Sequence, residues 1–196
     1  MKILVAVSGA SGASLGIKLF ESIPKTYEKY LILSESAKTV LENEENIFFN
    51  TDLSAPPASG SFQIDTTFIV PCSMNTLAKI SAGIADNLIT RSALVAIKEK
   101  RKLILAPREM PFSTIHLEHM TNLAKLSNIF IAPPVIGYYH NPKTLEEMEN
   151  FLIGKWLDLA GIKHNLFKRW NGSNSENSES LSAHLQSGGV VSGENN

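Results

Sequence analysis

Short apolar runs recur along the chain at 2–7, 29–33, 66–70, 102–106 and 128–132. Between them, apolar residues return at helical spacing near 13–23, 35–43, 74–99 and 113–127, with a last such stretch near 144–160. This alternation predicts βαβ units, hence an α/β domain whose parallel sheet is covered by helices on both faces. The near-continuous apolar segments Phe68–Val70 and Leu103–Ala106 fit strands buried on both sides. In such a sheet, ligands bind beyond the carboxyl ends of the strands. Ser8–Gly12, Ser34, Pro71–Asn75, Pro107–Glu109 and Pro133–Tyr139 all follow strand-like runs, so they are expected along one edge.

Composition narrows the class. At 196 residues, 43% hydrophobic and 19% charged, the chain suits one soluble globular domain with a developed core. A net charge of -1 gives no electrostatic case for nucleic acid or an anionic membrane. The apolar runs are too short to span a bilayer, and the chain opens on a core strand rather than a signal peptide, so a cytoplasmic protein is expected. The single cysteine, Cys72, excludes an intrachain disulfide and any multi-cysteine metal site. From Ser173 onward 14 of 24 residues are Ser, Asn or Gly and none is aromatic. The expected division is a domain over 1–172 and a low-complexity tail over 173–196 that buries too little surface to order itself. Residues 50–62 show turn chemistry without apolar period, and a loop of that length in a compact domain points to function.

Several strand ends carry candidate chemistry. Ile3–Val7 stops at Ser8-Gly9-Ala10-Ser11-Gly12, where small residues admit a close ligand and the following helix start offers unpaired N–H donors to an anion. Ser8 and Ser11 add hydroxyls for the same anion or for proton relay, although an ordinary strand-to-helix turn has the same composition. The glycine spacing is not that of a dinucleotide fingerprint. Pro71-Cys72-Ser73-Met74-Asn75-Thr76 closes a strand and opens a helix that Ser73 or Asn75 can cap. Gly83–Leu88 reads as a second turn, with Asp86 just before the helix carrying Arg91. Arg91 and Lys98, seven apart, share a helical face, while the rest of Lys98–Lys102 reads as a solvated helix end. Arg108-Glu109 places a cation and a carboxylate at the ligand edge. His116, Glu118 and His119 lack a third ligand, so packing or capping is the expected role of His116 and His119. Tyr138-Tyr139-His140 lies in an extended connection, and Glu44 reads as an exposed charge.

Six motifs taken together go further. Ser8-Gly9-Ala10-Ser11-Gly12, Ala55-Pro-Pro-Ala-Ser-Gly-Ser61, Pro71-Cys-Ser-Met-Asn-Thr76, Lys98-Glu-Lys-Arg101, Pro107-Arg-Glu-Met-Pro111 and Tyr139-His-Asn-Pro142 occur in one order along the chain. In these the chain resembles the flavin prenyltransferases of the UbiX type, within a wider group of homo-oligomeric flavoproteins that includes cysteine decarboxylases. The resemblance implies a Rossmann-like (flavodoxin-like) fold, a homo-oligomer of dodecamer size and sites between subunits. It implies metal-independent transfer of the dimethylallyl group of dimethylallyl phosphate to N5 and C6 of reduced FMN. The products would be phosphate and prenylated FMN, the latter serving a UbiD-type decarboxylase, with ubiquinone biosynthesis as one setting.

The same resemblance implies roles residue by residue. Gly9, Ala10, Ser11, Ser34, Ser73, Met74, Thr76 and Arg91 match flavin-binding positions, Arg91 at the flavin phosphate. Lys98, Arg108, Glu109, Tyr139 and Lys155 match the pocket for the prenyl donor. Ser11, Glu44, Lys98 and Glu109 match the catalytic positions, Ser11 relaying a proton near N5 and Glu44 taking the proton lost from C6. Lys155 stands where many members have arginine, which keeps the charge but loses the bidentate fork. Two other readings compete: an FMN-dependent decarboxylase of the wider group, and a flavin carrier without chemistry. The decarboxylases use a histidine early in the chain, whereas the first histidine here is His116.

Overall fold

The computed structural model describes residues 1–9, 11–34, 46–138 and 141–169. Six strands, β1 (Lys2–Val7), β2 (Glu28–Leu33), β3 (Ile47–Phe49), β4 (Thr66–Cys72), β5 (Lys102–Pro107) and β6 (Ile129–Ile131), form one sheet. Its order is β3-β2-β1-β4-β5-β6 and every pairing is parallel. Five helices accompany it: α1 (Ala13–Ser22), α2 (Met74–Ser81), α3 (Leu88–Lys98), α4 (Thr114–Ala124) and α5 (Leu145–Ala160). The expected doubly covered α/β architecture is therefore present.

Strand pleating sorts the apolar residues into two cores. Ile3, Val5 and Val7 of β1 join Phe68 and Val70 of β4 beneath α1 and α5, where Phe20 and Trp156 are the largest buried side chains. Leu4 and Ala6 point the other way, joining Ile69 and Leu105 beneath α2, α3 and α4. Successive side chains on a strand face opposite sides, so a strand buried on both faces must be apolar at every position. Gly16 lets α1 lie against β4: a Cβ there would stand 2.1 Å from the Val70 carbonyl oxygen.

The structure adds one strand to the sequence reading and refines two of its stretches. β3 is absent from that reading because three residues, none fully buried, give too short a periodic signal. The helical stretch over 74–99 is divided into two helices at the turn expected over Gly83–Leu88. α2 ends at Ala82 and Gly83, whose φ is +73°, and α3 restarts under a capping box of Asn87 and Thr90. The 50–62 loop contains two 3-10 turns, Pro56–Ala58 and Gly60–Phe62, and buries Ala55 and Pro57. The helix near 35–43, Glu44 and the tail after 173 lie outside the described residues.

The chain order reverses between β1 and β4. The two strands are neighbours, but one crossover leaves toward β2 and β3 and the other toward β5 and β6. A crevice opens at such a point, and it is where a parallel sheet ordinarily holds its ligand.

Candidate functional site

The loops leaving β1, β2, β4 and β5 are stitched together around that crevice. Ser8, 4% exposed, donates its hydroxyl proton to the Pro71 carbonyl at 3.2 Å and accepts the Ser73 amide N–H at 2.9 Å. The Gly9 N–H donates to the Ser34 hydroxyl at 3.3 Å, joining the ends of β1 and β2. The Arg108 backbone N–H donates to the Cys72 carbonyl at 3.3 Å, and its Nε donates to the Ser11 carbonyl at 3.2 Å. Loops with no periodicity of their own are thus held in one arrangement by hydrogen bonds across the strand ends.

Two helices start at this crevice. α1 begins at Gly12, in the left-handed region at φ 82°, and no side chain caps it. The Ala13 and Ser14 N–H groups have no partner among the described residues. α2 begins at Ser73, whose hydroxyl accepts the Thr76 N–H at 3.3 Å and donates to the Thr76 hydroxyl at 3.0 Å. That leaves the Met74 and Asn75 N–H groups without partners among the described residues. α3 differs: the Asn50 carbonyl takes the Leu88 N–H at 2.9 Å, the Asn50 side chain takes the Ile89 N–H at 2.8 Å, and Asn87 takes the Thr90 N–H at 3.0 Å. Open positive helix ends thus flank the switch point at α1 and α2. Gly9 and Gly12 both carry positive φ, and a Cβ at Gly12 would stand 3.5 Å from Arg108 Cδ. The positive φ, rather than a lack of room, is what calls for glycine at both positions.

Ser11, Gly9, Ser34, Ser73, Met74, Thr76, Arg108 and Glu109 are thus gathered at one edge. Arg108 and Glu109 are exposed, and the Glu109 carboxylate accepts the Met110 N–H at 3.1 Å. Ser73, not Asn75, is the cap of α2. Ser8 differs from the expected free hydroxyl, because its one proton is committed to Pro71.

Other candidates stand apart. Arg91 on α3 donates from Nε to the Ala58 carbonyl at 3.2 Å, which ties the Pro-Pro-Ala turn to that helix, and its Nη groups have no partner among the described residues. Lys98 ends α3 and pairs with Glu99, which lies against Gly60. It precedes β5, whereas Arg108 follows that strand, so the two residues sit at opposite ends of a strand roughly 17 Å long. Lys155 is exposed on α5, beside a groove of about 350 Å³ whose other walls include Pro133, Val135, Phe151, Trp156 and Asp158. Ala10, Glu44 and Tyr139 lie outside the described residues. His116 takes the expected capping role, its Nδ1 accepting the Ser113 N–H at 3.2 Å.

One constellation has no counterpart in the sequence reading. Asp158 on α5 meets Arg169 and His164 from the segment that follows, three residues whose pairing depends on a chain reversal at Gly161. Their separations follow no strand or helix period, so only the fold reveals the cluster.

Fold and site define a flavoprotein of the doubly wound α/β class: the Flavoprotein family model matches residues 1–154. The chain is 47% identical to the flavin prenyltransferase UbiX of Campylobacter jejuni, covering 87% of this chain and 98% of that protein. It is 44% identical to the flavin prenyltransferase UbiX of Thermoplasma acidophilum, covering 87% and 100%. Among solved structures, a dodecameric FMN-dependent UbiX-like decarboxylase from Escherichia coli O157:H7 superposes with a TM-score of 0.82 at 37% identity, covering 88% of this chain and all of that one. AnUbiX, in complex with FMN and dimethylallyl pyrophosphate, superposes with a TM-score of 0.81 at 36% identity, covering 88% and 98%. The chain belongs to the UbiX flavin prenyltransferase family. No described helix is long and apolar enough to cross a membrane.

Proposed function

We propose that this chain transfers the dimethylallyl group of dimethylallyl phosphate to reduced FMN, forming bonds at N5 and C6 and releasing phosphate. FMN is then a substrate, and prenylated FMN is a product for a UbiD-type decarboxylase. The observation that carries the reading is the crevice between β1 and β4, where the uncapped start of α1, the free first N–H groups of α2, the glycine-lined loop and Arg108 converge. Open N–H donors and small residues suit a planar anionic ligand held against backbone. Gly9, Ser11, Ser34, Ser73, Met74 and Thr76 are the residues assigned to hold the flavin there, with Ala10 and Arg91 completing the set.

Departure of phosphate from an allylic carbon builds negative charge on the leaving group. Lys98, Arg108 and Lys155 are assigned to stabilise it, together with Tyr139, because fixed cations act most strongly where charge develops. Glu109 is assigned to exchange a proton with the phosphate, Ser11 to relay one near N5, and Glu44 to take the one lost from C6. Lys98 and Arg108 lie at opposite sheet edges of one chain, so this reading requires different copies to complete one site. The dodecameric state of the Escherichia coli structure supports an assembly of that kind.

The decarboxylase named for that same structure is the competing activity. The absence of any histidine before His116 speaks against it. An anaerobic mixture of the protein with reduced FMN and dimethylallyl monophosphate, followed by mass analysis of the extracted flavin, tests the proposal. A flavin heavier by one five-carbon prenyl unit is the expected product. Unmodified FMN with both the monophosphate and the diphosphate donor would overturn the reading.

A further inference from the structure

We infer that the segment following α5 is a clamp that keeps Lys155 free for the donor phosphate, with Arg169, Asp158 and His164 as positioning residues for that lysine. The inference rests on the reading of Lys155 as a phosphate contact. Lys155 and Asp158 stand three apart on α5, so their Cβ atoms are about 5–6 Å apart on one side of the helix. Both line the groove beside β6. An ammonium and a carboxylate placed in this way ordinarily pair.

Here the carboxylate is already taken. Arg169 donates from Nη1 to Asp158 Oδ2 at 3.0 Å and from Nη2 to Oδ1 at 2.7 Å, a two-pronged contact. His164 Nε2 lies 3.2 Å from Oδ1, and His164 Nδ1 accepts the Leu166 N–H at 3.2 Å. With Nδ1 accepting, the neutral ring carries its proton on Nε2 and donates it to Asp158. Lys155 has no ion-pair partner among the described residues.

The clamp is packed as well as charged. The His164 side chain is 4% exposed. The Phe167 ring lies 5.3 Å from the His164 ring and 5.1 Å from Phe151, and the Arg169 guanidinium stands 5.4 Å from the Phe167 centroid. Gly154 makes the approach possible, since a Cβ there would meet Phe167 at 2.5 Å and His164 at 2.6 Å. A lysine binds phosphate as a single point charge, so pairing with Asp158 would remove the property the site needs.

The test uses the full chain and initial rates of prenylated flavin formation against dimethylallyl monophosphate concentration. Arg169→Gln frees Asp158 to capture Lys155, raising the donor's apparent KM roughly fivefold with kcat little changed. Adding Asp158→Asn leaves His164 an acceptor but no charge to capture the lysine, and returns KM toward wild type. In a Lys155→Ala background, Arg169→Gln adds nothing. A merely structural segment predicts that the Arg169→Gln/Asp158→Asn pair is worse than Arg169→Gln alone. That result, or a further KM rise in the Lys155→Ala background, overturns the clamp while leaving the phosphate reading intact. An unchanged KM in Lys155→Ala alone ends the phosphate reading of that lysine and the clamp with it. Whether the wild type forms product judges the activity separately. Should Arg169→Gln fail to fold, Arg169→Lys replaces it; one charge without the fork predicts a smaller KM rise, again reversed by Asp158→Asn.

Discussion

The Ser8 hydroxyl accepts the Ser73 amide N–H at 2.9 Å and so joins the two strand ends between which the sheet reverses its order. Its own proton goes to the Pro71 carbonyl at 3.2 Å. This residue therefore ties the two strand ends together through its side chain, beside a backbone bond from its N–H to the same carbonyl at 3.2 Å. Ser8→Ala strands the part-buried Ser73 N–H, at a cost of about 1–3 kcal/mol, while the Pro71 carbonyl keeps the backbone N–H of residue 8 at 3.2 Å. Urea unfolding is expected to show that loss, and fluorescence titration is expected to show weaker FMN binding. An unchanged FMN affinity in a folded variant would dissociate Ser8 from the site.

Lys98 and Arg108 cannot meet on one donor within a single chain, because β5 stands between them. Lys98→Ala and Arg108→Ala are each expected to abolish most prenyl transfer when expressed alone. Co-expression in the proposed assembly would give mixed oligomers in which some sites take Lys98 from an Arg108→Ala copy and Arg108 from a Lys98→Ala copy. Partial return of activity in the mixture is the expected outcome. Activity no higher than that of the separate variants would show that the two residues do not complete one another across copies.

Cys72 is buried on β4, and burial pushes its thiol up to about 12. A thiol so protonated, with no access to solvent, is a poor nucleophile. Iodoacetamide at pH 8 is expected to leave the native protein unmodified and to alkylate it fully in denaturant. Rapid native labelling would contradict the packing of β4 beneath α2.

The Arg169 guanidinium beside Asp158 holds its carboxyl below the ordinary value of 3.8, with His164 adding to the effect. A folded-state pKa depressed in this way means that the unfolded chain binds the proton more tightly. The stabilisation is therefore fully present above 3.8 and is lost as pH falls through the lower folded value. Asp158→Asn is expected to be less stable than wild type at neutral pH, with the two stability curves converging in acid. Parallel curves down to the acid limit would refute the pairing.

Gly16 faces the Val70 carbonyl oxygen at a distance no Cβ can tolerate. Gly16→Ala must push α1 away from β4, and overpacking of this kind costs about 1–3 kcal/mol. A lowered melting temperature is the expected reading. Because α1 carries the Gly12 end of the crevice, weaker FMN binding is expected alongside it.

Much of the framework was legible from local pattern. The apolar runs mark five of the six strands, and the rule that ligands lie beyond strand ends groups Ser11, Ser34, Ser73 and Arg108 at one edge. β3 was not legible, because its three residues gain their identity by pairing with Leu31–Leu33 of β2. The break between α2 and α3 is legible in the turn chemistry of Gly83–Leu88, although the apolar period runs through both helices, and the structure adds that Asn87 is the cap.

The sequence by itself determined the alternation of strands and helices, the residues able to bury on both sheet faces, and the chemistry available at each strand end. These follow from neighbours a few positions apart, through pleat, helical period and capping. Only the tertiary structure decided the strand order, the separation of Lys98 from Arg108, and the meeting of Asp158 with His164 and Arg169. Those depend on how each crossover and chain reversal packs onto the sheet, and free energy shared among contacts distant in sequence leaves no local period to read.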